Sequence, residues 1–256
     1  MGLLKQAFEN GEFAVTWQAI SLDWSTFSTV VQKFDSTGTP QGVSVELSGL
    51  GGMIDAPQIT TLSNGEYVVT YSSRSADWMN QSVFVQKFDA NGVSVGTQIQ
   101  LNGASSSDNS SAQIVSVGNA GEYIVTWSGD NDIYVQKFNA DGTTTGNSMI
   151  TLDGLSGDDR NSNITVLDNG EFVIIWQGYD ATWQNYVFVQ KFNANGTTMG
   201  NPEVVLDNMV SYDKAQITPL PNGEFVVAYT YRIGWGDASI IVQKFNADGT
   251  TTGNSA

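Results

Sequence analysis

A Gly-Glu-aromatic step is answered about twenty residues later by Gln-Lys-Phe, and the pair of phrases occurs five times in the chain. The step stands at Gly11-Glu12-Phe13, Gly65-Glu66-Tyr67, Gly121-Glu122-Tyr123, Gly170-Glu171-Phe172 and Gly223-Glu224-Phe225. The lysines of the answering phrase, Lys33, Lys87, Lys137, Lys191 and Lys244, are 54, 50, 54 and 53 residues apart. A period of that length is one supersecondary unit, which buries a core only by stacking on its neighbours. The boundaries fall near 1–52, 53–107, 108–158, 159–210 and 211–256, and the five units together are expected to form a single domain.

The second unit shows what each repeat makes. Gln58 to Leu62 alternates (strand a), and Ser63-Asn64-Gly65 reads as a two-residue hairpin turn. Glu66 to Tyr71 follows (strand b), then Val83 to Phe88 (strand c). Asp89-Ala90-Asn91-Gly92 turns the chain into strand d, Thr97 to Leu101. Strand b is apolar on both sides, with Tyr67, Val69 and Tyr71 on one and Val68 beside Thr70 on the other. A strand buried on both faces belongs to a sheet packed between two others. Five such meanders predict an all-β fold, a five-bladed β-propeller of four-stranded antiparallel blades; a β-solenoid, whose coils are usually shorter, is the runner-up. The last unit runs out at Gly253-Asn254-Ser255-Ala256, where its strand d should begin. Nineteen strands are therefore expected, with one blade a strand short and its open edge available to another copy or a neighbouring domain.

Composition narrows function by exclusion. The net charge is −16, and Lys5, Arg74, Arg160, Lys214 and Arg232 are the only cations outside the repeated phrase. Nucleic acid is not an expected partner, because phosphate binding needs clustered cations. The chain has neither cysteine nor histidine, which removes disulfides, thiolate metal sites and the usual general base. No apolar run is long enough to span a membrane, and the residues before the first repeat are too few for a signal peptide. The chain reads as a module of a longer protein, or one exported by a signal outside it.

The Asn-Gly-Glu-Phe-Val-Val-like strands followed by Val-Phe-Val-Gln-Lys-Phe-Asn-Ala-Asp-Gly-like hairpins resemble the roughly fifty-residue tandem repeats of secreted bacterial surface proteins, including adhesins of the repeats-in-toxin type. The resemblance implies an extracellular or cell-surface setting and a role in adhesion or display. The calcium-binding glycine-aspartate nonapeptides of those toxins are not in this sequence, so their calcium chemistry is not implied.

Longer b–c loops are where such a scaffold carries function, and four of the five hold a tryptophan: Trp24, Trp78, Trp183 and Trp235. The third unit lacks it, its loop being only Ser128 to Asp132. A flat aromatic stacks on a sugar ring while nearby polar groups orient the hydroxyls. Asp23, Asp77, Asn80, Asp180, Gln184, Asn185 and Asp237 are placed for that. The expected function is weak multivalent carbohydrate binding, lectin-like, to a cell-surface glycan. The competing readings are tryptophans wedged between blades and a purely structural or self-associating scaffold.

The recurrent lysine suits a pairing with the recurrent glutamate of strand b, and the Asn-Gly and Asp-Gly stretches suit hairpin turns. Asp153-Gly154-Leu155-Ser156-Gly157-Asp158-Asp159-Arg160 gathers three carboxylates that could hold calcium; no other cofactor is expected. Paired carboxylates of the glycosidase kind are the only catalytic type the composition leaves open, with Asp158, Asp159 and Asp180 as residues that one face could bring together. With the repeated residues structural and the loop carboxylates irregular, the expectation is a non-enzymatic module.

Overall fold

The computed structural model describes residues 3–102, 109–118, 120–144, 149–155, 157–209, 215–232 and 238–252. They form five four-stranded antiparallel meanders, the blades of a five-bladed β-propeller. The first is β1 (Leu3–Ala7), β2 (Phe13–Ile20), β3 (Phe27–Phe34) and β4 (Pro40–Leu47). The second is β5 (Gly51–Thr61), β6 (Tyr67–Ser75), β7 (Gln81–Phe88) and β8 (Ser94–Leu101). Next come β9 (Ser110–Val117), β10 (Glu122–Gly129), β11 (Asp132–Phe138) and β12 (Ile150–Leu152). The fourth is β13 (Asp159–Val166), β14 (Phe172–Tyr179), β15 (Asn185–Phe192) and β16 (Thr198–Met209), and the fifth β17 (Gln216–Pro219), β18 (Phe225–Arg232), β19 (Ala238–Phe245) and β20 (Thr251–Thr252).

The strand tally corrects the nineteen read from sequence. The fifth strand d is present: its described residues Thr251 and Thr252 pair with Phe245 and Lys244. The open edge expected beyond it falls on 253–256, outside the described residues.

The chain groups into two compact units, residues 1–130 with 134–149 and residues 131–133 with 150–256. In the first, the two faces of β6 serve different cores, as its alternation requires. Tyr67, Val69 and Tyr71 pack with Ala14, Val31 and Leu47 of the preceding blade. Val68 packs with Val83, Val85, Tyr123, Val125 and Trp127 toward the following one. Every residue of β7 is buried, whereas strand β8 is largely exposed, so strands b and c carry the core and d faces outward. In the second unit Val173, Ile175, Val187 and Val189 meet Phe225, Val227, Tyr229 and Phe245 in the same manner.

The repeated phrases now have physical roles. The aromatic of Gly-Glu-aromatic stacks on the phenylalanine of Gln-Lys-Phe in every blade, with centroids 5.0 Å apart for Phe13 and Phe34, 4.9 Å for Tyr67 and Phe88, 4.8 Å for Tyr123 and Phe138, and 4.6 Å for both Phe172 with Phe192 and Phe225 with Phe245. Such a pair adds about 0.5–1.5 kcal/mol beyond the area it buries. The lysine pairs with the glutamate as expected, at 2.5 Å for Lys33 and Glu12, 2.6 Å for Lys87 and Glu66, and 2.5 Å for Lys191 and Glu171. It also donates to an alanine carbonyl in the c–d turn of the next repeat, Lys33 to Ala90 at 2.5 Å, Lys87 to Ala140 at 2.5 Å, and Lys191 to Ala247.

The a–b turn expected to be a two-residue hairpin is a three-residue one. In the second unit the Leu62 amide donates to Glu66 O at 2.8 Å and the Gly65 amide to Leu62 O at 3.1 Å, a turn closed by a residue in the left-handed region. Gly65 fills that position at φ 80°. Asn64 locks the exit, accepting from the Glu66 amide at 3.1 Å and donating to its carboxylate at 2.6 Å.

Candidate functional site

The b–c loops obey the same turn rule with a different residue. Trp183 N–H donates to Asp180 O and Asp180 N–H to Gln184 O, both at 3.0 Å, the bonding pattern of the glycine hairpins. Trp24 and Trp78 make the same inner bond, to Ser21 O and Ser75 O at 3.0 Å each, in turns one residue longer, the Ser21 N–H donating to Thr26 O and the Ser75 N–H to Asn80 O. All three tryptophans are in the left-handed region, φ 59° for Trp24, 64° for Trp78 and 64° for Trp183. Ten other turns of the molecule place glycine at that position, among them Gly11, Gly38, Gly92 and Gly196. A side chain costs about 1–2 kcal/mol there, a penalty glycine escapes.

The tryptophans are not wedges between blades. Their exposures are 70% for Trp24, 59% for Trp78 and 76% for Trp183. Exposed Leu22 and Met79 flank two of them, Arg74 reaches over the Trp78 ring at 5.8 Å, and Tyr179 stands 6.1 Å from Trp183. Among the described tryptophans the fully buried ones are Trp127 and Trp176, at the ends of their b strands. Trp235 and Asp237 lie outside the described residues.

The neighbouring carboxylates hold the loops in shape. Asp23 Oδ1 accepts from the Ser21 hydroxyl at 2.6 Å and from the Ser25 hydroxyl and amide at 2.8 and 3.2 Å. Those bonds, the Ser21 hydroxyl foremost, hold its pKa down to about 2. Asp77 accepts from the Ser75 hydroxyl and from the Met79 amide at 3.1 Å. Asp180 accepts from the Gln184 and Thr182 amides at 3.0 and 2.8 Å, and from the Tyr186 hydroxyl at 3.1 Å. Asn80 and Gln184 close their loops through backbone groups, while Asn185 is buried at the start of β15. The ring is thus presented on a braced loop, a geometry the residue spacing does not reveal.

The third blade departs at its short loop, where Asp130 and Asn131, at φ 52° and 69°, form a two-residue turn between β10 and β11. In the second compact unit Asn131 O accepts the Asp159 amide at 2.8 Å. The carboxylates that meet are then Asp132, Asp153 and Asp159, a correction to the trio read from sequence. Asp158 faces Arg160 at 3.7 Å instead, and Asp132 enters through β11, a strand the loop sequence does not include. Burial, followed by the Asp153 and Asp132 charges, pushes Asp159 up to about 7 against the hydrogen bond from the Gly154 amide.

A cleft of about 380 Å³ opens at the a–b turns of the first unit, lined by Phe8, Asn10, Glu12, Lys33, Ser63 and Ala90 among others. Its Glu12 and Lys33 are the structural ion pair.

No family model and no curated protein matches the chain. Solved structures do. The α-L-arabinofuranosidase of Fusarium graminearum matches with a TM-score of 0.58 at 11% identity, over 95% of this chain and 76% of that one. A polysaccharide lyase, ulvan lyase, matches with 0.58 at 11%, over 97% and 68%. The β-propeller domain of the trilobed protease of Pyrococcus furiosus matches with 0.52 at 8%, over 99% and 70%. At these identities the likeness establishes the propeller fold. It also corrects the expectation of a non-enzymatic module, since two of these structures are carbohydrate-active enzymes. Lack of histidine and cysteine is no bar to glycoside hydrolysis, which in most families uses a pair of carboxylates.

Proposed function

We propose that this chain is a carbohydrate-active propeller that engages a polysaccharide through the tryptophans of its b–c loops. The observation that carries the reading is the placement of Trp24, Trp78 and Trp183 in the left-handed region with their rings exposed. A bulky residue in a conformation that ten turns of the same molecule give to glycine, and exposed to water, contributes nothing to the fold that glycine would not contribute better. An exposed indole on a braced loop offers a flat apolar face to the C–H face of a sugar ring. Each contact is weak, and repetition along a polymer supplies avidity. The fold shared with an arabinofuranosidase and an ulvan lyase supports carbohydrate as the ligand class.

The test is retention on a panel of immobilised polysaccharides that includes arabinan and ulvan, run beside assays for new reducing ends and for unsaturated uronate, the marks of hydrolysis and elimination. Retention by the native protein that is lost on replacing Trp24, Trp78 and Trp183 by alanine, with the fold intact, is expected. Equal retention by the triple variant overturns the assignment.

A further inference from the structure

We infer that Asp132, Asp153 and Asp159 form a calcium site in the second compact unit. Their carboxylate oxygens lie within 4.8 Å of one another. Calcium–oxygen bonds of about 2.3–2.6 Å put two ligands of one ion at most about 5 Å apart, so a single ion reaches all three. The burial is graded: Asp153 is exposed, Asp132 is intermediate and Asp159 is buried, which gives the ion a route in.

The independent sign is at Asp159, which is only 1% exposed and whose Oδ1 has no hydrogen-bond partner. Its Oδ2 accepts from the Gly154 amide at 2.6 Å. The Trp176 indole N–H is likewise buried without a partner. A buried anionic oxygen in that condition calls for a cation.

The preceding blade shows the same place built without charge. Asn109 donates its amide N–H to Gln81 O at 3.1 Å, as Asp159 does to Asn131 O. Its side chain is satisfied, accepting from the Trp127 indole at 3.3 Å and donating to Gln81 O at 3.3 Å. Gly129 covers Asn109 and Gly178 covers Asp159, since a Cβ at either would lie 2.4 or 2.2 Å from the respective Oδ1. The scaffold therefore accepts a neutral amide at this position, and the fourth blade has a carboxylate with two others beside it. Three carboxylates in an irregular cluster suit calcium, which tolerates variable geometry, better than magnesium, which demands a near-ideal octahedron.

The test is isothermal calorimetry and thermal denaturation of the chelator-treated protein with calcium chloride. One ion per chain and a raised melting temperature are expected, since an ion that binds only the folded state stabilises it. Asp159→Asn, which copies Asn109, should fold and lose the calcium response. Asp153→Asn, at an exposed position, should weaken binding by at least about tenfold, and Asp158→Asn should bind as the native chain does. No calcium heat up to roughly 10 mM, above the ~10⁻⁴–10⁻³ M of the weakest natural modules, overturns the inference. So does a native calcium response in Asp153→Asn or Asp159→Asn.

Discussion

Lys87 donates to the carbonyl of Ala140 at 2.5 Å, so the ammonium that pairs with Glu66 in its own blade also holds the turn of the next. Lys87 is 9% exposed, whereas Lys244, its counterpart in the fifth blade, is 43% exposed. Truncating one partner of a mostly buried pair strands the other, while an exposed pair is worth about 0–1 kcal/mol. Lys87→Met should destabilise by about 2–3 kcal/mol and Lys244→Met by less than about 1 kcal/mol, measured by urea denaturation. Equal losses would show that the contact to the following turn contributes nothing.

Acid should loosen the pairs made by Glu12 and Glu171. The hydrogen bond from Lys33 first, and that from Lys191 first, hold Glu12 and Glu171 below the ordinary 4.5. A depressed carboxylate stabilises the fold above its unfolded pKa, and that stabilisation is lost as pH falls through the folded value. Stability should therefore drop below about pH 4.5. Glu171→Gln should flatten that part of the profile; an unchanged slope in denaturation series from pH 6 to pH 3 would count against the coupling.

Replacing the loop tryptophans by glycine separates presentation from packing. Trp24→Gly and Trp78→Gly should leave stability within about 1 kcal/mol of native or raise it, because the left-handed position is relieved. Polysaccharide retention should fall in the same variants. A loss of several kcal/mol by calorimetry would return these residues to the core.

Core truncation supplies the contrast. Phe88 is fully buried and stacked on Tyr67, so Phe88→Ala should cost about 3–5 kcal/mol in chemical denaturation. A cost below 1 kcal/mol would mean the aromatic pairs do not carry the blade.

The blades were legible because the repeat gives its core away: the alternation of β6 is visible in Tyr67-Val68-Val69, and the aromatic pairs recur at fixed spacing. The Lys–Glu pair was legible for the same reason. The third partner, the alanine carbonyl a full repeat away, was not, since nothing in Asp-Ala-Asn-Gly distinguishes a carbonyl that receives a lysine from one that faces water. Trp78 was found by position, but spacing alone cannot tell a wedge from an exposed ring. That distinction depends on φ, which the turn hydrogen bonds set. Asp132 was missed because its meeting with Asp159 follows from the two-residue turn at Asp130 and Asn131, and a loop motif read along the chain does not cross to another strand.

The bond from Lys33, Lys87 and Lys191 to the turn that follows makes the repeat a copyable cassette. Lys33, Lys87 and Lys191 each carry a donor for the next unit, and Ala90, Ala140 and Ala247 each carry an acceptor for the one before. A duplicated segment of one period brings both halves of the junction with it, so a new copy joins its neighbours without any compensating substitution.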